Sequence, residues 1–246
     1  MELEVLLPFA AVILAGYLVQ TVTGFGAMVV AMTFGALVLP IETIPPVAVP
    51  LSLVQNVWIA YRYRDGIDRQ LLFMKILPLM FVGMTLGFLV SDLVAGEALR
   101  IAFGVLILVL SGWELLRAVR GSDARPEPLG PAATRITIFL AGVLHGIYAT
   151  GGPLLVYAVG RLELGKHVFR ATLTAVWLLL NIVLTGFFVF AGRVSVESLG
   201  QSALLLPTIP IGILVGEWIH HRVDENRFRH MIFALLAAAA LTLLLK

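Results

Sequence analysis

Gln20-Thr21-Val22-Thr23-Gly24-Phe25-Gly26 and, 126 positions later, Gly146-Ile147-Tyr148-Ala149-Thr150-Gly151-Gly152-Pro153 each interrupt a long apolar stretch near its middle with a polar, glycine-rich break. A helix in hydrocarbon cannot leave backbone groups unpaired unless the break is enclosed by protein or lines a cavity. Paired breaks in corresponding positions of two halves are the sequence mark of a transporter's substrate site. The two stretches therefore predict an all-α polytopic membrane protein working as a secondary transporter.

Composition supports the membrane reading: apolar residues make up 60% of the 246, charged residues 13%, and the mean hydropathy is +1.00. A soluble core needs far less apolar sequence. The net charge of +2 does not indicate nucleic acid, because the basic residues sit in short loops between apolar spans and form no continuous polar face. With no cysteine, disulfides and thiolate chemistry are excluded, and five histidines remain as soft-ligand candidates. No cofactor or metal site is expected; His220-His221 has no third ligand at metal spacing. The start Met1-Glu2-Leu3-Glu4 is acidic where a signal peptide is positive, so the first apolar run is expected to stay in the mature protein.

Apolar runs long enough to cross fall at about 44–61, 71–91, 98–116, 170–191, 199–219 and 229–245. Two longer runs, about 4–40 and 132–160, contain the breaks. The first is too long for one crossing and reads as a hairpin of two shorter helices; the second reads as one kinked crossing or a matching hairpin. Charge decides between these. With both hairpins in place and the Arg62-Tyr63-Arg64 loop in the cytoplasm, 14 of the 17 Lys and Arg residues are cytoplasmic, leaving Arg100, Arg193 and Lys246 outside. A single crossing would put the basic loops around Lys166 and Arg222 outside, against the positive-inside rule. Both termini are then expected outside.

The halves also match in sequence. Ala15-Gly16 and Leu18 align with Ala141-Gly142 and Leu144, Gly26 with Gly152, and Gln55 with Asn181. After a three-residue shift Pro78, Gly83 and Gly87 fall on Pro207, Gly212 and Gly216, and Arg100 on Arg229. Each half holds one returning hairpin and three crossings, so the second half is expected upside down: an inverted repeat, with repeat 1 over 1–120, a linker over 121–131 and repeat 2 over 132–246, in one membrane domain. Gly83/Gly87 and Gly212/Gly216 read as close helix contacts, and Trp58, Trp113 and Trp218 as interface anchors.

A short helix is expected to restart after each break, at Gly26-Ala27 and at Gly152-Pro153, proline suiting the first helical position. Both N-termini then aim amides and positive dipole ends into the membrane interior, where a small anion is the natural ligand. Gly24, Gly26, Gly151 and Gly152 let an oxyanion approach the backbone, and Phe25 lies between two of them. Thr21, Thr23, Tyr148 and Thr150 are hydroxyl donors at the breaks. No lysine or arginine is expected at mid-depth. The plain alternative is that the glycines serve packing and the threonines bond back onto their own helices. His145 is the one ionisable residue expected deep in the membrane; it binds or protonates the substrate, or is a neutral histidine bonded to a neighbouring helix. Gln55, Asn56 and Asn181 lie mid-span, able either to reach the breaks or to bond between helices. Trp177 reads as core packing or cavity wall. Glu114 and Glu217, near cytoplasmic helix ends, are weak candidates for ion coupling.

On these features the chain resembles the TauE/SafE family of bacterial membrane proteins, often called sulfite exporters. The likeness covers nearly the whole length: two repeats, an early glycine-rich motif in each, the loop Arg62-Tyr63-Arg64-Asp65-Gly66-Ile67-Asp68 followed by the Gly83-x-x-x-Gly87 helix, then Gly151-Gly152-Pro153, Arg170 and Asn181. The first motif, Gly24-Phe25-Gly26-Ala27, departs from the family's richer run and lacks the proline that commonly follows. The resemblance implies transport of sulfite, sulfonates or related sulfur oxyanions across the bacterial inner membrane, with the lipid bilayer as the other partner; a homo-oligomer is compatible with it. Competing readings are an uptake carrier for another small organic anion, a non-transporting scaffold or sensor, and a membrane-embedded enzyme. The enzyme would need convergent catalytic groups at one depth, and none is visible.

Overall fold

The protein is described here from a computed structural model covering residues 3–91, 93, 96–119, 129–162, 164–220, 222 and 225–245. Most of the linker expected over 121–131, and His221 of the histidine pair, lie outside the described residues. Among the described residues the chain forms eleven α-helices and no strand.

Helix α1 (Leu3–Thr23) ends at the first break, and α2 (Ala27–Gly35) starts beyond it. A Cβ placed on Gly16 would lie 2.8 Å from the Ala27 carbonyl oxygen, so α2 folds back onto α1. In a straight helix residues eleven apart stand about 16 Å apart. The run forms the expected two shorter helices with the break between them, and the arms are unequal. Helix α1 has 21 residues and its Glu4–Thr23 stretch is by itself long and apolar enough to cross, whereas α2 has 9. Nothing before Thr23 removes enough backbone bonds to end α1, since Pro8 near its start forgoes a single donor.

The second break repeats the device. Helix α6 (Pro131–Tyr148) opens on proline and stops at Ala149, whose φ of 55° no continuing helix tolerates; α7 (Gly152–Val159) follows. A Cβ on Gly151 would meet the Ala141 carbonyl oxygen at 2.2 Å, so the chain again doubles back.

Between and after these pairs run α3 (Ile44–Arg62), a π-helical stretch Leu71–Ile76 leading into α4 (Leu77–Ser91), α5 (Gly96–Val119), α8 (Lys166–Phe190), α9 (Val196–Leu205), α10 (Thr208–His220) and α11 (Glu225–Leu245). Pro207 separates α9 from α10. Six stretches of the described residues are long and apolar enough to cross a membrane: Glu4–Thr23, Ile41–Arg62, Leu71–Ser91, Gly96–Arg117, Lys166–Phe190 and Val196–Ile219. They take in five of the six spans expected outside the breaks, and α11 occupies the sixth.

Burial is arranged for a lipid surround. Leu7, Val54, Leu89, Val109, Leu214 and the three expected anchors Trp58, Trp113 and Trp218 are exposed on the bundle surface. Inside are Gln20, Thr21, Ser52, Gln55, Asn56, His145, Arg170 and Asn181, each at most 7% exposed. An apolar outside with polar groups facing inward is the arrangement hydrocarbon imposes.

Packing between the halves is reciprocal. Cβ atoms on Gly83 and Gly87 of α4 would strike the carbonyl oxygens of Phe139 and Val143 on α6 at 2.2 and 2.1 Å; on Gly142 and Gly146 of α6 they would strike those of Met80 and Met84 at 2.4 and 2.1 Å. Helix α10 approaches α1 in the same way, with Gly212 against Tyr17 and Gly216 against Thr21. Thus the glycine-paired helix of each half lies on the pre-break helix of the other. Helices α3 and α8 pack together, as do α5 and α11.

The bundle has two ends. Tyr63, Gly66, His167 and Glu217 gather at one: Tyr63 donates to Glu217 at 3.0 Å and meets His167 edge to face, and His167 also fills the space a Cβ on Gly66 would need. Glu42, Ser91, Gly96, Arg193 and Ser195 gather at the other. Phe9 against Gly35, and Leu244 against Gly104, show that both chain ends run toward this second end.

Candidate anion site at the paired helix breaks

Both breaks open onto one buried cavity. Its wall comprises Gly26, Met28 and Val29 from the start of α2, Ala149, Thr150, Gly151 and Gly152 from the start of α7, and the side chains of Gln20, Ser52, His145, Trp177 and Asn181. The breaks also touch directly, since a Cβ on Gly152 would meet the Phe25 ring at 3.3 Å. Gly26 and Gly151 are the N-caps of α2 and α7 and bring no side chain of their own, although the first amide of α2, at Ala27, is taken by Gln20 Oε1. Two helix N-termini therefore converge, that of α7 without a side-chain cap, where an anion is best stabilised.

Gly24 and Gly26 have φ of 83° and 106°, conformations that only glycine adopts without strain, so the first break is encoded by its glycines. The Thr23 hydroxyl shares its one proton between the carbonyls of Val19 (2.9 Å) and Phe25 (2.7 Å) and accepts from the Phe25 amide, tying off the turn. The Ala27 amide donates to Gln20 Oε1 at 3.3 Å, and Trp177 Nε1 donates to the Gly24 carbonyl at 3.1 Å. Gln20 Nε2 donates to Asn56 Oδ1. Thus α3 and α8 hold the first break by its polar atoms.

Several buried polar atoms are left unbonded. Both ring nitrogens of His145 lack hydrogen-bond partners, and so do Asn181 Oδ1, Asn56 Nδ2 and Gln55 Oε1. His145 is 1% exposed, stacks on Trp177 with ring centres 5.7 Å apart, and has Asn181 as a polar neighbour. Asn181 Nδ2 donates to Ser52 Oγ at 2.9 Å. Buried polar groups are normally satisfied, and unpaired ones at a cavity wall point to a bound molecule. As described, the cavity measures about 20 Å³, room for one water.

Of the thirteen residues singled out from sequence, six line this cavity: Gly26, His145, Thr150, Gly151, Gly152 and Asn181. The other seven stand around it. Thr21 donates to the Tyr17 carbonyl at 2.8 Å and accepts from Gln55 Nε2 at 3.0 Å, so with Thr23 it follows the back-bonding alternative. Gln55 joins α3 to α1, and Asn56 reaches the site only through Gln20. Gly24 and Phe25 shape the turn. Tyr148 points away: its hydroxyl donates to the Leu99 carbonyl at 3.2 Å and its ring stacks on Phe103.

Tyr148 instead lines a larger cavity of about 530 Å³ at the Arg193 end, walled also by Met32, Glu42, Ser91, Phe188 and Glu197. Its lining includes Ile147 and Tyr148 of the second break, next along the chain to Ala149 and Thr150 of the central cavity. Sequence reasoning passed over Ser52 and Gln20 as site residues. Gln20 opens the first polar break and could have been found there; Ser52, a lone serine in an apolar span, gives no local signal.

The sequence profile described as "Sulfite exporter TauE/SafE" matches residues 8–243. Over 257 aligned residues the chain is 26% identical to the "Probable sulfite/organosulfonate exporter TauE" of Cupriavidus necator, with 100% of this chain and 97% of that protein covered. No solved structure matches. The chain belongs to the TauE/SafE sulfite exporter family, a family of membrane transporters.

Proposed function

We propose that this protein carries small sulfur oxyanions, sulfite or organosulfonates, out across the bacterial inner membrane by alternating access. The observation that carries the reading is the convergence of two helix N-termini, that of α7 without a side-chain cap, with the unbonded nitrogens of His145 on one buried cavity. Amides, dipole ends and neutral donors suit an anion, and among the described residues no carboxylate lines the cavity. Sulfur chemistry is suggested by the family and by the name of the Cupriavidus protein.

The rest of the proposal is supported by the packing, for the repeats, and by the charge bias of the loops, for the orientation. The chain is one transport domain of two inverted repeats, each a broken hairpin plus three crossings; the reciprocal packing of α4 on α6 and α10 on α1 supports this. The bundle end at Tyr63 faces the cytoplasm, and both termini lie outside. The 530 Å³ cavity at the opposite end is then the outer vestibule, and the 20 Å³ site must widen to take its ligand. A potential of 100 mV, negative inside, favours anion exit by about 2.3 kcal/mol per charge, so export needs no coupling ion.

The test is flux in proteoliposomes with sulfite, methanesulfonate, acetate and lactate under an imposed potential. Wild type is expected to move the sulfur oxyanions in preference to the carboxylates. Gly152→Leu, which fills the anion approach without the positive-φ strain present at Gly26, should abolish flux in a protein that still purifies as a folded species. Carboxylates moving as fast as sulfonates, or full flux in Gly152→Leu, would overturn the assignment.

A further inference from the structure

The face of α8 that reaches the cavity continues toward the Tyr63 end of the bundle. Asn181, Trp177, Thr174 and Arg170 recur at helical spacing, form one stripe, and are all buried. Arg170 stands two turns, about 10 Å, beyond Trp177. Its backbone presses on the first break, where a Cβ on Gly24 would lie 3.0 Å from Arg170 Cα and 3.2 Å from Cγ. The arginine expected among the cytoplasmic loop cations is therefore an interior group, only 7% exposed and in contact with the break.

Among the described residues its guanidinium has no partner suited to its charge. The carbon Cζ lies 4.4 Å from the centre of the Tyr63 ring, a cation–π contact on one face. Along the edge, Nε and Nη2 are buried with no hydrogen-bond partner. Among the described residues no carboxylate pairs with it. Glu217 is engaged by the Tyr63 hydroxyl instead. Burial holds that hydroxyl's pKa above its ordinary value although the nearby Arg170 charge pulls it down, so Tyr63 stays protonated and keeps donating. An interior cation without a counter-charge is costly, and one aromatic face offsets only part of that cost. The two unbonded nitrogens form the edge of the guanidinium that presents parallel N–H bonds, the edge that takes a two-oxygen anion.

We propose that Arg170 is a second anion-binding station, which grips the transported oxyanion through Nε and Nη2 between the Tyr63 end and the central cavity, with the Tyr63–Glu217 hydrogen bond as the latch that closes it. This rests on the proposed function, in which a small oxyanion is the cargo. A station here has a direct consequence: the cation lowers the energy of an anion entering from the Tyr63 end and hands it along the α8 stripe to Trp177 and His145.

The experiment uses the whole protein in liposomes with methanesulfonate, permanently ionised, supplied to one side at a time, together with direct binding of methanesulfonate and sulfite to the purified protein. Arg170→Gln is expected to raise the half-saturating methanesulfonate on the Tyr63 side on the order of 10-fold, as loss of a charge-assisted bond does, and to leave the value on the Arg193 side unchanged. Arg170→Lys, which keeps the charge and loses the fork, should recover part of the loss. Should Arg170→Gln fail to fold, Arg170→Lys carries the test, with a value between wild type and a ten-fold loss expected. Wild-type flux with unchanged half-saturation in the Arg170 variants would overturn the station and leave the proposed function standing. A wild-type protein that neither binds nor moves either anion would overturn both.

Discussion

His145 sits where the two breaks meet, its ring stacked on Trp177 and both its nitrogens unbonded at the cavity wall. An imidazole so placed donates one hydrogen bond to an anion when neutral and adds a charge when protonated, so any proton dependence built into the site passes through it. His145→Gln keeps hydrogen-bonding capacity and removes titration. It is expected to preserve potential-driven methanesulfonate flux and to flatten its dependence on pH, measured with that permanently ionised substrate so that cargo protonation drops out. An unchanged pH profile would assign the dependence elsewhere. Sequence singled out His145 because an ionisable residue deep in an apolar run stands out against its neighbours. The same reading could not tell Thr150, at the cavity, from Thr21 and Thr23, whose hydroxyls bond back to their own helix, because all three are threonines beside glycine breaks. Only the approach of α3 and α8 separates them, and that is tertiary information. Arg170 shows the same limit. Near a helix start in a basic segment it reads as a loop cation, yet the Tyr63 ring and the Gly24 turn enclose it.

Among the elements, the contact of α4 with α6 is the one that tolerates least change. Gly83, Gly87, Gly142 and Gly146 let two backbones meet with no side chain between them, the way helices associate where lipid removes the hydrophobic drive. Gly87→Ala would place a methyl 2.1 Å from the Val143 carbonyl oxygen, so the helices must separate. A loss of about 2–4 kcal/mol is expected, of the size that overpacking a close contact produces. Gly112→Ala, in α5 with nothing within 4 Å, is expected to stay within about 1 kcal/mol of wild type. Thermal unfolding of the two variants in detergent checks the contrast; equal stabilities would show that α4 and α6 yield easily. The glycine spacing marked α4 as a close-contact helix in the sequence, but not α6 as its partner. The bend of the first hairpin was legible too, since it falls at the glycine break; what an apolar run of 4–40 does not show is that α2 stops already at Gly35.

At the scale of the whole molecule, charge and geometry sort the same described segments into two groups. Described residues beside three of the loops that positive charge assigns to the cytoplasm, Tyr63, His167 and Glu217, meet at one end, and connectors assigned outside meet around the cavity at Arg193. Charge bias alone could not have gathered them, because it says nothing of which loops are neighbours; the packing of α3 on α8 and of α4 on α6 does that. What packing lacks is a membrane, so the side on which each end lies rests on the positive-inside rule. The chain has no native cysteine, so single cysteines report directly. Val196→Cys, at a side 90% exposed beside the vestibule, is expected to react with an impermeant thiol reagent added to intact cells. Asp65→Cys, at a site whose side chain is 94% exposed at the other end, should react only after the membrane is opened. The opposite pattern would invert the molecule, turn the vestibule toward the cytoplasm and place Arg170 on the outer side of the central cavity. Labelling of both positions in intact cells would mean that the two ends do not lie on opposite faces of the membrane, and the inverted-repeat reading would go with them.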